Sequence, residues 1–309
     1  MLVIFSSPPF YTTYVQLPTS ESVPPKIRHN SKFWLFFQNA IGAIDGSHIH
    51  AAPPAFVRPN YRNRKGFVSQ NCLFTCNFDL KFIYSLTGWE GSATDACIYD
   101  DVISTDLHIP DGKYFLGDTG FPLSKTVLVP YQGIRYHLAE WGWANIRWVF
   151  DAHLPYNLNW CPNRPSNKEE LFNLRHTSAQ NVIEWIFGVM KCHFWILLLV
   201  PEYNLTVQAS IPAALCSVHN FIQTYDPDEG DLPVEIPPLI EHSTTTHDGH
   251  QVIDPGDEGT RELREFHDNI AVAMWEDYQC LLGERAMEYE DTDSNFEEFE
   301  IGEMSWHLL

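Results

Sequence analysis

The order of apolar segments along the chain predicts an α/β fold: three strand-like runs, a helix, a short fourth run, a long connection and a second helix. Composition agrees, because 44% apolar residues, with aromatics at 14%, suffice for a sizeable core. Charge is segregated as well. Residues 1–225 carry 16 acidic and 16 basic side chains, whereas residues 226–309 carry 24 and 3. The net charge of −21 therefore belongs to the tail, and a neutral body can still present a local basic patch to an anionic partner.

Taken in order, residues 1–38 are rich in Pro and Ser without periodicity, which predicts an extended lead-in, with residues 1–35 outside the main domain and 36–225 inside it. The run AIGAIDGSHIHAAPP predicts a strand that closes at Asp45 and Gly46. RPNYRNRKG follows as a polar loop, with Arg58, Arg62, Arg64 and Lys65 forming the dense basic cluster of the chain. NCLFTCNFD and FIYSLTGW predict a hairpin turning at Asp79–Lys81. GSATDACIYDDVIST predicts a helix capped by Ser92 or Thr94, and KYFLGDTGF a strand closed by Asp118. From Leu123 to Ser178 no period is visible, which predicts a long functional loop or insertion.

SAQNVIEWIFGVMKCHFWIL carries the clearest helical pattern. Val182, Ile183, Ile186, Phe187 and Met190 make an apolar face, and Asn181, Glu184, Gly188 and Lys191 a polar one. QASIPAALCSVHNFIQTY predicts a further helix, kinked at Pro212. The acidic tail predicts disorder apart from one amphipathic helix near residues 260–282, built on Leu263, Phe266, Ile270, Met274, Trp275 and Tyr278.

Seven cysteines without paired spacing predict free thiols in a reducing compartment, and neither a leader peptide nor a membrane segment is evident, so no membrane association is expected. Asn204 in NLT is then an unused glycosylation match. The chemistry lies in carboxylates at special points: Asp45 and Asp118 at strand ends and Glu184 on the polar stripe of an apolar helix. Adjacent first and fourth strands would bring the aspartates to one edge, and a helix across it would bring Glu184. Three such oxygen donors repel one another unless a cation fills the site. Two Mg²⁺ or Mn²⁺ ions, roughly 3.5–4 Å apart in sites of this kind, would suit phosphodiester cleavage.

IGAIDGSHI, YRNRKGFVSQN, FDLKFIYSLTGWEGSATDACIYDD, YFLGDTGFPLSKTVLVPY, ELFNLRH and AQNVIEWIFGVMKCHF resemble, in order, successive blocks of the PIF/Harbinger transposase-derived nucleases. The resemblance implies an RNase H-like fold with a mixed five-stranded sheet flanked by helices. It also implies a DDE-type metal-dependent endonuclease or strand transferase whose triad falls on Asp45, Asp118 and Glu184. DNA is the implied substrate, the nucleus the implied location, and a separate Myb-like protein the implied partner for DNA binding and nuclear entry, with the cytoplasm open to the chain without it. Three departures qualify this. Trp185 and His193 stand where the family carries basic residues, Trp148–Asn163 (within 148–164) reads as an insertion, either a loop or a translated intron, and the N-terminal DNA-binding region is reduced to residues 1–35 or missing. A catalytically silent, decayed or domesticated interaction module is the alternative.

Asp95 is a rival metal ligand, although its place in a helix's first turn also suits capping. Arg58, Arg62, Arg64, Lys65 and Lys191 are candidate phosphate contacts, with Tyr61 available for stacking. His48 and His50, Cys72 and Cys76, and His219 and Asn220 read as packing residues. Gly117 and Gly120 read as making room for metal and phosphate.

Overall fold

The computed structural model describes residues 2–18, 23–136, 164–226 and 258–304, with side chains to residue 284. In chain order the elements are α1 (Leu2–Phe5), α2 (Phe10–Tyr14), α3 (Pro25–Arg28), β1 (Ala40–His50), β2 (Ser69–Cys76), β3 (Phe82–Glu90), α4 (Asp95–Thr105), β4 (Tyr114–Leu116), β5 (Val127–Leu128), α5 (Lys168–Gln180), α6 (Val182–His193), α7 (Leu205–Tyr225) and α8 (Glu258–Met304).

The strands form one mixed sheet in the order β3-β2-β1-β4-β5. β1–β2 and β2–β3 pair antiparallel, while β1–β4 and β4–β5 pair parallel. Side chains alternate between the two faces. Ala43, Ile49, Cys72, Phe74 and Cys76 pack beneath α5, α6 and α7; Ile41, Ile44 and Leu73 pack with Ile98, Tyr99 and Val102 of α4 on the other face. Burial of both faces explains why β2 is covered at every position. It also pushes the Cys72 thiol up to about 12, in keeping with an apolar packing role.

Local chemistry sets the ends of the helices. Thr94 caps α4 by accepting from the Cys97 amide at 3.3 Å, and Asn167 caps α5 through the Glu170 amide at 2.8 Å. Asn204 caps α7 through the Val207 amide at 2.9 Å, which gives the NLT asparagine a structural role. Pro212 lies inside α7. That helix is apolar and long enough to cross a membrane by length and composition, yet its Asn220 is buried and hydrogen-bonds both backbone polar groups of Phe82. His219 likewise reaches the Leu80 carbonyl at 2.9 Å, so both residues tie α7 to the β2–β3 turn.

Three expectations are corrected. The lead-in is not extended: it folds into α1 to α3 and buries Ile27, Phe33 and Phe37. The span from Leu123 to Ser178 contains β5 and α5, and the clear helical pattern begins at Val182, after Asn181 separates α5 from α6. The helical backbone of α8 continues to Met304, past the expected end near 282. Of the face expected for α8, Met274 is buried, but Phe266 is exposed, and His267 and Ala271 are buried instead. The insertion at 148–164 falls outside the described residues except for Arg164, as does the tail at 227–257.

Candidate active site

β1 and β4 run parallel, and their last pair is Ala43 with Leu116. Asp45 and Asp118 each lie two residues further on, so both leave the pair at the same edge. Asp45 does not close its strand, because β1 continues beside β2 to His50. It marks where β4 stops, which frees the flank of β1 at that level.

Strand alternation puts Asp45 on the side of Ser47 and Ile49, which line a small cleft with Phe187, Met190 and Lys191 of α6. Glu184 stands on the same helix. Gly46 turns to the opposite face, where any Cβ would collide with the Asp95 carboxylate. The DG pair thus lets two aspartates approach one point of backbone from opposite sides of the sheet. Asp95 is fixed there by a 2.8 Å hydrogen bond from Asn71 Nδ2.

Backbone amides orient the other two carboxylates. The Gly46 N–H donates to Asp45 Oδ1 at 2.8 Å, and the Gly120 N–H donates to Asp118 Oδ1 at 2.8 Å. A Cβ at Gly120 would stand 2.9 Å from that oxygen, whereas one at Gly117 would press on Val127, Ile44 and Phe121. These glycines therefore make room for the carboxylate and for the core, which corrects the expectation that they clear space for metal and phosphate.

Burial, followed by the fields of Asp118, Asp95 and Glu184, holds the Asp45 carboxyl well above the usual range. Asp118 is pushed up to about 7, chiefly by burial and then by Asp95 and Glu184, against the opposing Gly120 amide. Asp95 and Glu184 thus act on both Asp45 and Asp118. Among the described residues no three His, Cys, Asp or Glu side chains converge closely enough to chelate an ion, so the cluster is gathered but open. Its chemistry suits a hard divalent cation: anionic oxygens, partly desolvated, with unrelieved mutual repulsion.

Cationic side chains border the cluster. Lys191 lies within the field of Asp45, although burial lowers its own pKa, and Lys65 adds to that lowering. Lys65, Arg64 and Lys191 also act on His48, whose pKa falls mainly through burial and against the pull of Asp95. Arg58 belongs to a 3₁₀ turn, Arg58–Tyr61, and Arg62 donates to the Gly66 carbonyl at 2.6 Å. Tyr61 does not present a stacking surface, since its ring is only 8% exposed. His48 and His50 share a face, with both rings against Phe67, but His48 is exposed and His50 half-buried, so neither belongs to the core.

Tyr136 was not anticipated from the sequence. Its side chain hydrogen-bonds Thr119, next to Asp118, and burial together with Asp118, Glu184 and Asp45 drives its phenol up to about 12. It follows β5 in a stretch without periodicity, so no pattern marked it.

Comparison with known proteins adds the following. The DDE superfamily endonuclease domain matches residues 44–220, a span that contains Asp45, Asp95, Asp118 and Glu184. The chain is 24% identical over 230 residues to the rat protein named "Putative nuclease HARBI1", covering 72% of this chain and 57% of that one. The human protein of the same name is 22% identical over 239 residues, covering 74% and 60%. The chain thus spans somewhat under two thirds of the length of these curated relatives. No solved structure matches.

Proposed function

From the premise that this chain belongs to the DDE superfamily endonucleases, we propose that it is a divalent-metal-dependent nuclease acting on DNA phosphodiester bonds. The observation that carries this reading is the set of four carboxylates around the shared edge of β1 and β4, three of which, Asp118, Asp95 and Glu184, raise the cost of charge on the fourth, Asp45. Asp45, Asp118 and Glu184 would hold Mg²⁺ or Mn²⁺, with Asp95 contributing from the opposite face of the sheet. When bound, such ions supply an activated water or 3′-hydroxyl and stabilise the leaving oxygen.

The remaining roles belong to the chain's own groups. The Gly46 and Gly120 amides keep one oxygen of Asp45 and one of Asp118 turned into the backbone, which leaves the other lone pairs facing the site. Lys191, Arg64 and Lys65 place positive charge beside the acidic cluster, where a DNA phosphate would otherwise be repelled. Tyr136, hydrogen-bonded to Thr119, adds a polar group beside Asp118. Action in the nucleus beside a separate Myb-like DNA-binding partner belongs to the same proposal and rests on the family resemblance.

One observation favours a second reading, a silent interaction module: α6 carries half-buried Trp185 and His193 where the family carries basic residues, and exposed Trp195 and Leu198–Val200 follow it. A plasmid-nicking assay with Mn²⁺ separates the two. Nicking by the wild type that Asp118→Ala abolishes supports the nuclease, nicking that survives the substitution overturns the site, and a wild type that does not nick favours the module.

A further inference from the structure

The basic loop between β1 and β2 exposes one large aromatic side chain, and it is not the tyrosine. Phe56 is 84% exposed, the most exposed large apolar residue among those described. Exposure of this degree gives up the usual gain from burying a phenyl ring. Single exposed apolar residues are ordinary on protein surfaces. The construction around this one is not.

Phe56 sits at the tip of a turn in which the Val57 and Arg58 amides both donate to the Pro54 carbonyl at 3.1 Å. The entry to the turn is clamped by buried Gln208 of α7, whose Oε1 accepts from the Ala52 amide at 2.9 Å while its Nε2 donates to the Ala52 carbonyl at 3.3 Å. The exit is tied by Asn60, which accepts from the Ser92 amide at 3.0 Å and donates to Glu90 at 3.1 Å. Pro53, Pro54 and Pro59 stiffen what lies between. A loop fixed at both ends presents its tip with little ordering entropy left to lose on binding.

The charge around Phe56 identifies what it would meet. In a chain of net charge −21, no ion pair among the described residues takes Arg58, Arg62 or Arg64. Positive side chains beside an exposed aromatic ring suit a polyanion whose bases offer π faces. The same loop leads to the site: Lys65 acts on both His48 and Lys191, and Lys191 lies within the field of Asp45. In fully paired DNA the bases are stacked on one another, so a phenyl ring finds a free face only where a base is unpaired.

We propose that Phe56 is a stacking platform for an unpaired nucleotide of the bound DNA, with Arg58 and Arg64 gripping the flanking backbone. The inference rests on the nuclease reading and narrows its substrate to DNA with a frayed, flipped or single-stranded nucleotide.

The test uses the full chain in Ca²⁺ and two oligonucleotide duplexes, one blunt and one with a short single-stranded overhang carrying 2-aminopurine. The wild type is expected to bind the overhang duplex more tightly and to quench the fluorophore. Phe56→Ala is expected to weaken overhang binding roughly tenfold and abolish the quenching, with blunt-duplex binding and the thermal midpoint unchanged; Phe56→Trp is expected to restore both. Equal weakening on both duplexes, or quenching that survives Phe56→Ala, overturns the platform while leaving the nuclease intact. A wild type that binds neither duplex overturns both readings. A Phe56→Ala chain with unchanged DNA binding but an altered oligomeric state assigns the ring to a protein contact and likewise overturns the proposal.

Discussion

At the open edge of β1 and β4 the protein gathers carboxylates that raise one another's pKa, whereas at the seam between α5 and α8 it buries neutral polar groups, several of them paired with the backbone and some atoms, His176 Nδ1, Thr177 Oγ1 and His267 Nε2 among them, left without a partner. In the seam, His176 Nε2 donates to the Leu128 carbonyl at 2.9 Å, and Asn173 both accepts from the Tyr131 amide at 2.7 Å and donates to its carbonyl at 3.0 Å. His267 of α8 stacks on Tyr131 at 4.1 Å and meets the edge of Phe172 at 4.4 Å. Both regions are buried and polar. Only the edge brings like charges together, and this difference separates a joint of neutral polar groups from a cluster whose members oppose one another's ionisation.

The sharpest way to break that contrast is to neutralise one carboxylate. Asp45→Asn keeps the shape and removes the charge, so metal-dependent nicking is expected to fall on the order of a thousandfold or more while the thermal midpoint holds or rises. A fall in both would make Asp45 a structural residue like those of the seam. In the seam the opposite is expected. His176→Ala leaves a cavity and removes one of the two hydrogen bonds to the Leu128 carbonyl, which keeps that from the Gly117 amide, and should cost about 3 kcal/mol in denaturant unfolding, with the nicking rate per folded molecule little changed.

The same contrast explains what the sequence could show. Asp45, Asp118 and Glu184 stood out because each breaks a local rule, an acid after an apolar run or on an apolar helix, and such breaks concentrate where function overrides stability. The order of the elements along the chain was legible from the apolar runs, whereas the adjacency of β1 and β4 entered only as a condition and the five-stranded mixed sheet only through the family resemblance. α5 was not, because the sheet covers it on one side and α8 on the other; every residue from Leu171 to Gln180 is buried, so apolar residues have no preferred face and the helical period vanishes. β5, with two residues, is too short to leave a pattern. Asp95 was visible as a rival ligand and as a capping residue, and the sequence did not choose between them, because its nearness to Asp45 depends on the missing side chain of Gly46.

Proton binding should drive the two regions in opposite directions. Asp118 has a folded pKa near 7 against an ordinary 3.8, so without metal the folded state binds the extra proton and stability falls as pH rises from about 4 to about 7. Asp118→Asn, measured in a chelator, is therefore expected to gain about 1–2 kcal/mol above pH 7 and nothing below pH 4, since solvent reaches the half-buried residue and screens its charge. Mn²⁺ should raise the wild-type midpoint and close this gap. In the seam, burial lowers His176 to about 3 and His267 to about 4 from an ordinary 6.5. Their contribution is complete above pH 6.5 and is lost as pH falls toward 4. Hydrogen exchange, corrected for intrinsic rates, should then show α5 and α8 opening more readily at pH 5 than at pH 7.5, whereas a uniform change across sheet and seam would erase the distinction.

The smallest expected effect tests whether the seam depends on charge at all. Arg175 Nη2 meets Asp277 Oδ2 at 3.1 Å, but the aspartate side chain is 40% exposed and the guanidinium also lies over the Phe36 ring at 5.0 Å. Solvent screens the outer partner, and the ring keeps the arginine in place when that partner is gone. Asp277→Asn should therefore cost no more than about 0.5–1 kcal/mol, a loss that 0.5 M salt largely removes from the comparison with wild type. A loss of several kcal/mol that persists in salt would show that α8 is held by a buried charge pair, and the seam would then resemble the carboxylate edge in depending on a counter-charge.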